Sequence, residues 1–338
     1  MTALIIPFHD YNSFNPELGR LLVKFVERNI SKYNADVIYF VGRKMGFDNS
    51  IKTINNRQVH YVDKEYGLFQ HNVLTIIKKL SSGDKFILMD SDFMIYDYSL
   101  IDDIWLDLNE YDIVNCLDSG TKIKPTYGSL IDLTPDYVFN DYTDLPYKLE
   151  IMKPTEYRDG YSRFTHWIFG CSYDFFMKHA DNFDSQELEP MEIFTRNIAT
   201  LTPNAKIKEL LEIRSSLFAL VDGMICSAPN STDSRCTEEA MRESKYYHIR
   251  NFGSLAYQIG FLNGASAYGT SPFVECNFQE TIRIVAWNLI ILDILGLKDK
   301  YITDINRVMD NCRIPNINSD YFIKYFAQFK EYHRVNLL

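Results

Sequence analysis

The sequence lacks the marks of several large protein classes. Its six cysteines (Cys116, Cys171, Cys226, Cys236, Cys276, Cys312) form no Cys-x-x-Cys pair and no zinc-like cluster. Buried thiols in a reducing compartment are therefore expected, rather than a disulfide scaffold or a structural zinc module. Long hydrophobic runs are missing too, since the richest, Ile284 to Leu297, is interrupted by Asn288 and Asp293 and falls short of a bilayer-spanning helix. The chain opens with Met1-Thr2-Ala3 and passes directly into a strand-like run, so no secretory leader is expected and the protein reads as soluble and cytoplasmic. Positive charge is in deficit. With 35 Lys and Arg against 45 Asp and Glu, the net charge is −10, which argues against a protein that coats nucleic acid by bulk electrostatics but leaves room for a local basic groove. The phosphate loop Gly-x-x-x-x-Gly-Lys-Ser/Thr and the dinucleotide fingerprint Gly-x-Gly-x-x-Gly are both absent, as are internal repeats and low-complexity tracts.

Apolar and aromatic residues are plentiful. Hydrophobic residues at 46% and charged residues at 24% fit a globular chain and exclude a disordered one. Aromatics reach 14%, with 23 Tyr and 23 Phe, enough to fill a large core and also suited to stacking on sugars or bases.

Over the first 120 residues, short apolar runs alternate with helical patterns. Strands are expected at Ala3–Phe8, Asp36–Val41, Val59–Val62, Lys85–Met89 and Asp112–Leu117. Between them, Pro16–Tyr33, Leu68–Leu80 and Leu100–Leu108 carry helical spacing, and Ser81-Ser82-Gly83 supplies a helix stop. Strands separated by helices imply parallel βαβ units, whose ligands bind beyond the carboxyl ends of the strands. Ser119 to Asp159 has weak periodicity, and the chain reads as helical from Asn277 to its end. The expectation is an α/β fold with a mostly parallel central sheet flanked by helices and a helical C-terminal appendage. Its divisions are residues 1–120, 121–275 and 276–338.

The sharpest feature is Lys85-Phe-Ile-Leu-Met-Asp90-Ser91-Asp92-Phe93. An apolar strand ends in two carboxylates spaced i, i+2, which in extended backbone leave the same face. Two hard oxygen ligands at such a place suit Mg²⁺ or Mn²⁺, with coordination left for water and a diphosphate. The alternative is a pair of carboxylates that only solvate a strand end.

The stretch Glu65-Tyr-Gly-Leu-Phe-Gln-His-Asn72, then a helix, then Ser82-Gly83-Asp84 leading to Asp90-Ser91-Asp92, resembles nucleotide-sugar-dependent glycosyltransferases of the GT-A fold, a Rossmann-like α/β architecture. The opening strand Leu4-Ile5-Ile6-Pro7 and its polar loop, Phe8 to Asn12, match the part of that family where the nucleotide base lies, which brings Pro7 and His9 toward the nucleotide. The resemblance covers about the first 120 residues. It implies that Asp92 holds a Mn²⁺ or Mg²⁺ ion directly. Asp90 would contact the ribose or the ion through water, and Asn72 would sit near the nucleotide. The donor it implies is a nucleotide-diphosphate sugar, a UDP-sugar first among them.

The family also implies an acidic base near the acceptor in inverting members and a late histidine on the metal. Asp222, in Leu217-Phe-Ala-Leu-Val-Asp222-Gly223, is the first candidate base; its other reading is a helix-end carboxylate. Asp118, after the strand ending at Leu117, is the second. In Tyr246-Tyr247-His248-Ile249-Arg250, His248 fits the late ligand and Arg250 the diphosphate; the plainer alternative is a strand-edge histidine beside a surface ion pair. Tyr161, His166 and Trp167 resemble the acceptor-lining segment, although Trp167 reads equally as a core residue. The stripe Tyr321, Phe322, Tyr325, Phe326, Phe329 and Tyr332 favours core packing, with a homodimer face as its second reading.

Three functions compete. The leading one is metal-dependent transfer of a sugar to a hydroxyl, with inversion, the acceptor being a glycan, a protein side chain or a hydroxylated base in phage DNA. For the last the sequence offers only a compositional hint, its richness in Asn, Ile, Lys, Tyr and Phe, which suggests an AT-rich genome. A haloacid-dehalogenase-like phosphohydrolase would use the first Asp of Asp-x-Asp as nucleophile. A catalytically silent sugar- or nucleotide-binding protein on the same fold is the third.

Overall fold

In the computed structural model of the protein, the residues described are 1–8, 20–43, 45–64, 69–91, 93–117, 164–179, 194, 207–210, 246–248, 278–311, 315–332 and 335–338. Strand β1 (Thr2–Phe8) is apolar on both faces because both are covered. Leu4, Ile6 and Phe8 belong to one core and Ala3 and Ile5 to the other. Helix α1 (Leu21–Arg28) follows, burying Leu21, Leu22, Phe25 and Val26 at helical spacing. A 3₁₀ turn at Ile30–Lys32 leads to β2 (Val37–Arg43), which runs parallel to β1 from Ala3–Val37 to Phe8–Gly42.

The third expected strand is one arm of a hairpin. Strands β3 (Ile51–Ile54) and β4 (Arg57–Lys64) pair antiparallel through Asn55 and Asn56, at φ of 47° and 64°. Asparagine tolerates left-handed backbone, and a two-residue turn of this hand matches the strand twist. The exposed sequence of β3 has no apolar alternation, which is why the sequence pattern did not show it.

Helix α2 (Phe69–Ile77) crosses back to β5 (Lys85–Met89), parallel to β1. A short β6 (Phe93–Ile95), helix α3 (Ser99–Asp107) and β7 (Ile113–Leu117) follow. Strand β8 (Phe164–Ser172) runs antiparallel between β5 and β7, and α4 (Tyr173–His179) leaves it. Strand β9 (Ile207–Leu210) lies parallel beside β7, and β10 (Tyr246–His248) pairs antiparallel with β6. Among the described residues the main sheet therefore has eight strands in the order β3-β4-β2-β1-β5-β8-β7-β9.

This is the expected α/β class, a mostly parallel sheet between helices, with two differences: the β3 arm adds an antiparallel edge, and β8 enters antiparallel from a segment remote in sequence. Residue 170 must be small there, because a Cβ on Gly170 would come within 2.4 Å of Ile104 and 3.0 Å of Leu108 on the covering helix segment. Cys171 is fully buried, and burial pushes its thiol well above the ordinary range, in line with an inert core cysteine.

Helices α5 (Phe278–Ile294), α6 (Lys298–Asn311) and α7 (Asp320–Tyr332) form the C-terminal region. They share the core of the sheet's first face: Trp287, Ile290, Phe322, Tyr325 and Phe329 join the cluster that holds Leu4, Ile6 and Phe25. Arg28 at the end of α1 donates to the Ile294 carbonyl at 2.6 Å, tying α1 to the end of α5. The aromatic stripe is largely core, with Phe322, Tyr325 and Phe329 buried and Tyr321 at the surface. Among the described residues, no helix is long and apolar enough to cross a membrane.

Candidate functional site

The topology singles out one place. Chain order runs from β1 outward to β2 and β4 on one side, then crosses to β5 on β1's other side. In parallel sheets the crevice where such a reversal occurs, at the carboxyl ends, is where ligands bind. The ladder between β1 and β5 ends at Ile5–Leu88, whereas that between β1 and β2 continues to Phe8–Gly42. Pro7 lies beyond the last β5 pair and has no N–H to extend the ladder there.

Asp90 directly follows β5 at this edge and is half-buried. The strand ends at Met89, as expected, and the Phe93 N–H donates to the Asp90 carbonyl at 3.2 Å, so Asp90 opens a turn into β6. Ser91 within it is buried.

Strand β10 brings a remote segment to the same turn. Its register sets His248 opposite Phe93, the residue that closes the turn. Strand β8 contributes its N-terminal half: Met89 pairs with Ile168, so the backbones of Trp167 and His166 continue past the end of that ladder, on the side of Asp90. Strand β7 is parallel to β5, both being antiparallel to β8, and its last residue, Leu117, precedes Asp118.

Asn72 has a definite partner. It is buried in the first turns of α2, and its Nδ2 donates to the Gly42 carbonyl at 3.1 Å, bracing the helix against the end of β2. The residues His9, Asp92, Asp118, Tyr161, Asp222 and Arg250 lie outside the described residues. Among the described residues, no three His, Cys, Asp or Glu side chains converge as a metal-holding group. Of the expected ligand set, Asp90 alone has its side chain within that range.

A feature missed from the sequence lies on the same edge, where Asp63 and Arg20 grip the turn after β2. Asp63 at the end of β4 accepts main-chain hydrogen bonds from Met45 (3.2 Å), Gly46 (2.6 Å) and Phe47 (3.1 Å). Arg20 donates to the carbonyls of Met45 (2.9 Å) and Gly46 (3.2 Å). The signal was an acidic residue ending a strand and a glycine four residues after Gly42, neither of which is specific.

No family model matches the chain. No curated protein matches it either. Solved structures do resemble it loosely. A galactosyltransferase, LgtC, in complex with donor and acceptor sugar analogues has a TM-score of 0.40 at 11% identity, over 81% of this chain and 99% of that one. UDP-glucose pyrophosphorylase from Acinetobacter baumannii has a TM-score of 0.38 at 14% identity, over 62% and 85%. The 4-diphosphocytidyl-2C-methyl-D-erythritol synthase from Anaerococcus prevotii has 0.35 at 13%, over 62% and 87%. These figures describe a loose likeness of shape, and the functional reading rests on this chain's own residues.

Proposed function

We propose that the protein is a metal-dependent glycosyltransferase of the GT-A type, moving a sugar from a nucleotide-diphosphate donor, a UDP-sugar first among them, to an acceptor hydroxyl with inversion. The single observation that carries this reading is the turn that Asp90 opens after β5, at the switch point beside β1, with the strand of His248 paired against β6; Asp92 is two residues on in the sequence. Two carboxylates and an imidazole are a donor set that suits Mn²⁺. Asp90, Asp92 and His248 would hold the ion, which would offset charge on the departing diphosphate.

The chain's own groups divide the remaining work. Pro7 and His9 flank the nucleotide, Arg250 pairs with the diphosphate, and Asn72 acts through the brace it gives to the end of β2. Tyr161, His166 and Trp167 orient the acceptor, a glycan or a hydroxylated base in DNA. Asp222, flanked by apolar residues, takes the proton from the acceptor hydroxyl as its oxygen attacks the anomeric carbon opposite the leaving group. Asp118, in a more polar run, is the alternative base.

The test is hydrolysis and transfer with a panel of nucleotide sugars and Mn²⁺, beside Asp222→Asn and Asp118→Asn. Release of nucleoside diphosphate is expected, with inverted product by NMR and a loss of about 100- to 10,000-fold in Asp222→Asn at unchanged donor affinity. Release of inorganic phosphate would indicate the phosphohydrolase, and binding without turnover the silent binder. A product with retained configuration would remove the need for Asp222 as base.

A further inference from the structure

The Met45–Phe47 turn is anchored twice. Met45 is fully buried in the core and Phe47 packs half-buried against it, while Gly46 is exposed. Two charged side chains from separate elements fix its main chain as well. The Asp63 carboxylate takes all three of its N–H groups, and the Arg20 guanidinium takes two of its carbonyls. Asp63 is itself held, its N–H donating to Asn49 Oδ1 at 2.8 Å. The backbone is built for this clamp. Gly46 adopts φ +69°, and a Cβ at Gly42 would approach Met45 and Phe47 within 2.8–2.9 Å, so the turn folds back directly onto β2.

The clamp holds Phe47 against an aromatic cluster whose other members, Phe8, Phe40 and Tyr61, are buried in the core. The Phe47 ring stands edge-on to Phe8, the last residue of β1, at 6.0 Å and to Tyr61 at 5.3 Å, while Phe40 packs on Phe8 and Tyr61 at 5.0 and 5.2 Å. Tyr61 donates to Glu27 at 2.5 Å, and burial, helped by that bond, keeps its hydroxyl protonated far above the usual tyrosine range. A carboxylate on β4 thus braces the turn whose Phe47 ring packs against Phe8 at the end of β1, with β2 and β1 standing between β4 and β5.

We propose that Asp63 is a positioning residue for the donor: through the turn it clamps, it sets the wall of the nucleotide site at the ends of β1 and β2 without touching the donor. This rests on the nucleotide-sugar reading above. A site fixed before its ligand arrives avoids the ordering cost of binding, so releasing the clamp should weaken affinity and spare the chemical step.

The experiment uses the full chain with Mn²⁺ and whichever of UDP, GDP, ADP and CDP binds the wild type most tightly. In Asp63→Asn one acceptor oxygen becomes an NH₂ facing main-chain N–H groups. The dissociation constant and the donor KM should rise about tenfold, with kcat within about twofold and faster amide exchange at Met45–Phe47. Arg20→Met should shift the same quantities in the same direction but less, and it carries the test alone should Asp63→Asn not fold. A merely structural role would lower the active fraction, and so the apparent kcat, at unchanged KM. Faster exchange with unchanged affinity and KM would overturn the proposal while leaving the nucleotide-sugar reading intact. A wild type that binds none of the four nucleotides would remove both.

Discussion

The two halves of the sheet are built differently. In β4-β2-β1-β5 every pairing is parallel; β2 and β4 each pair with the strand that comes shortly before them in the chain, and β5 returns to β1 after crossing β4 and β2. In β8-β7-β9, β8 enters antiparallel from a segment that begins 47 positions beyond the end of β7 (164 against 117). Pairing of β1 with β2 and of β2 with β4 can form from consecutive units, whereas the β1–β5 and β7–β8 pairings each join segments remote in the chain, which is entropically harder. The candidate site lies on the seam, with Asp90 from the first half and the start of β8 and β10 from remote chain. Such a site exists only when both halves are in place.

The largest expected effect tests the seam itself. Asp92→Asn should lower transfer at least about a thousandfold, and EDTA should do the same to the wild type, while circular dichroism and the melting temperature stay as they were. Full activity in EDTA would break the idea that the seam is a metal-dependent site.

The next concerns what supports the first half. Phe329 is fully buried, with Trp287 at 5.3 Å and Tyr325 at 5.8 Å, in the same cluster as Leu4 and Ile6. Phe329→Ala should cost about 3–5 kcal/mol and leave a single denaturant transition, because helices and sheet share one core. An early separate transition would show that α5–α7 unfold on their own.

Gly170→Ala probes the second half alone. Its Cβ would press on Ile104 at 2.4 Å, so about 1–3 kcal/mol of destabilisation is expected in chemical denaturation. An unchanged midpoint would mean that α3 sits further from β8 than described.

The smallest effect lies in alkali. Tyr33 and Tyr98 stack edge-on at 5.1 Å, and burial raises both, Tyr98 to about 12. Their folded values exceed the ordinary tyrosine value of about 10, so their contribution is intact below that pH and is lost as the pH rises from about 10 toward 12. The double variant Tyr33→Phe with Tyr98→Phe should flatten the alkaline fall in urea-measured stability. An unchanged slope would assign it to other groups.

The sequence alone determined the elements whose apolar pattern is strong and whose partners are local. The run Phe86-Ile87-Leu88-Met89 reads as a strand because both its faces are buried, and the periodic α7 was legible over its whole length. The Asp-x-Asp motif and its place after an apolar strand were visible for the same reason. The exposed arm Ile51–Ile54 was not, since nothing in it alternates, nor was Asp63, whose role comes from three main-chain groups it meets through folding. Only the tertiary structure decided that β8 lies between β5 and β7, that His248 stands opposite Phe93, and that the turn after β2 is clamped from β4. Strand pairing between distant segments depends on which edges and faces remain open once the local units have formed. No short-range pattern carries that information.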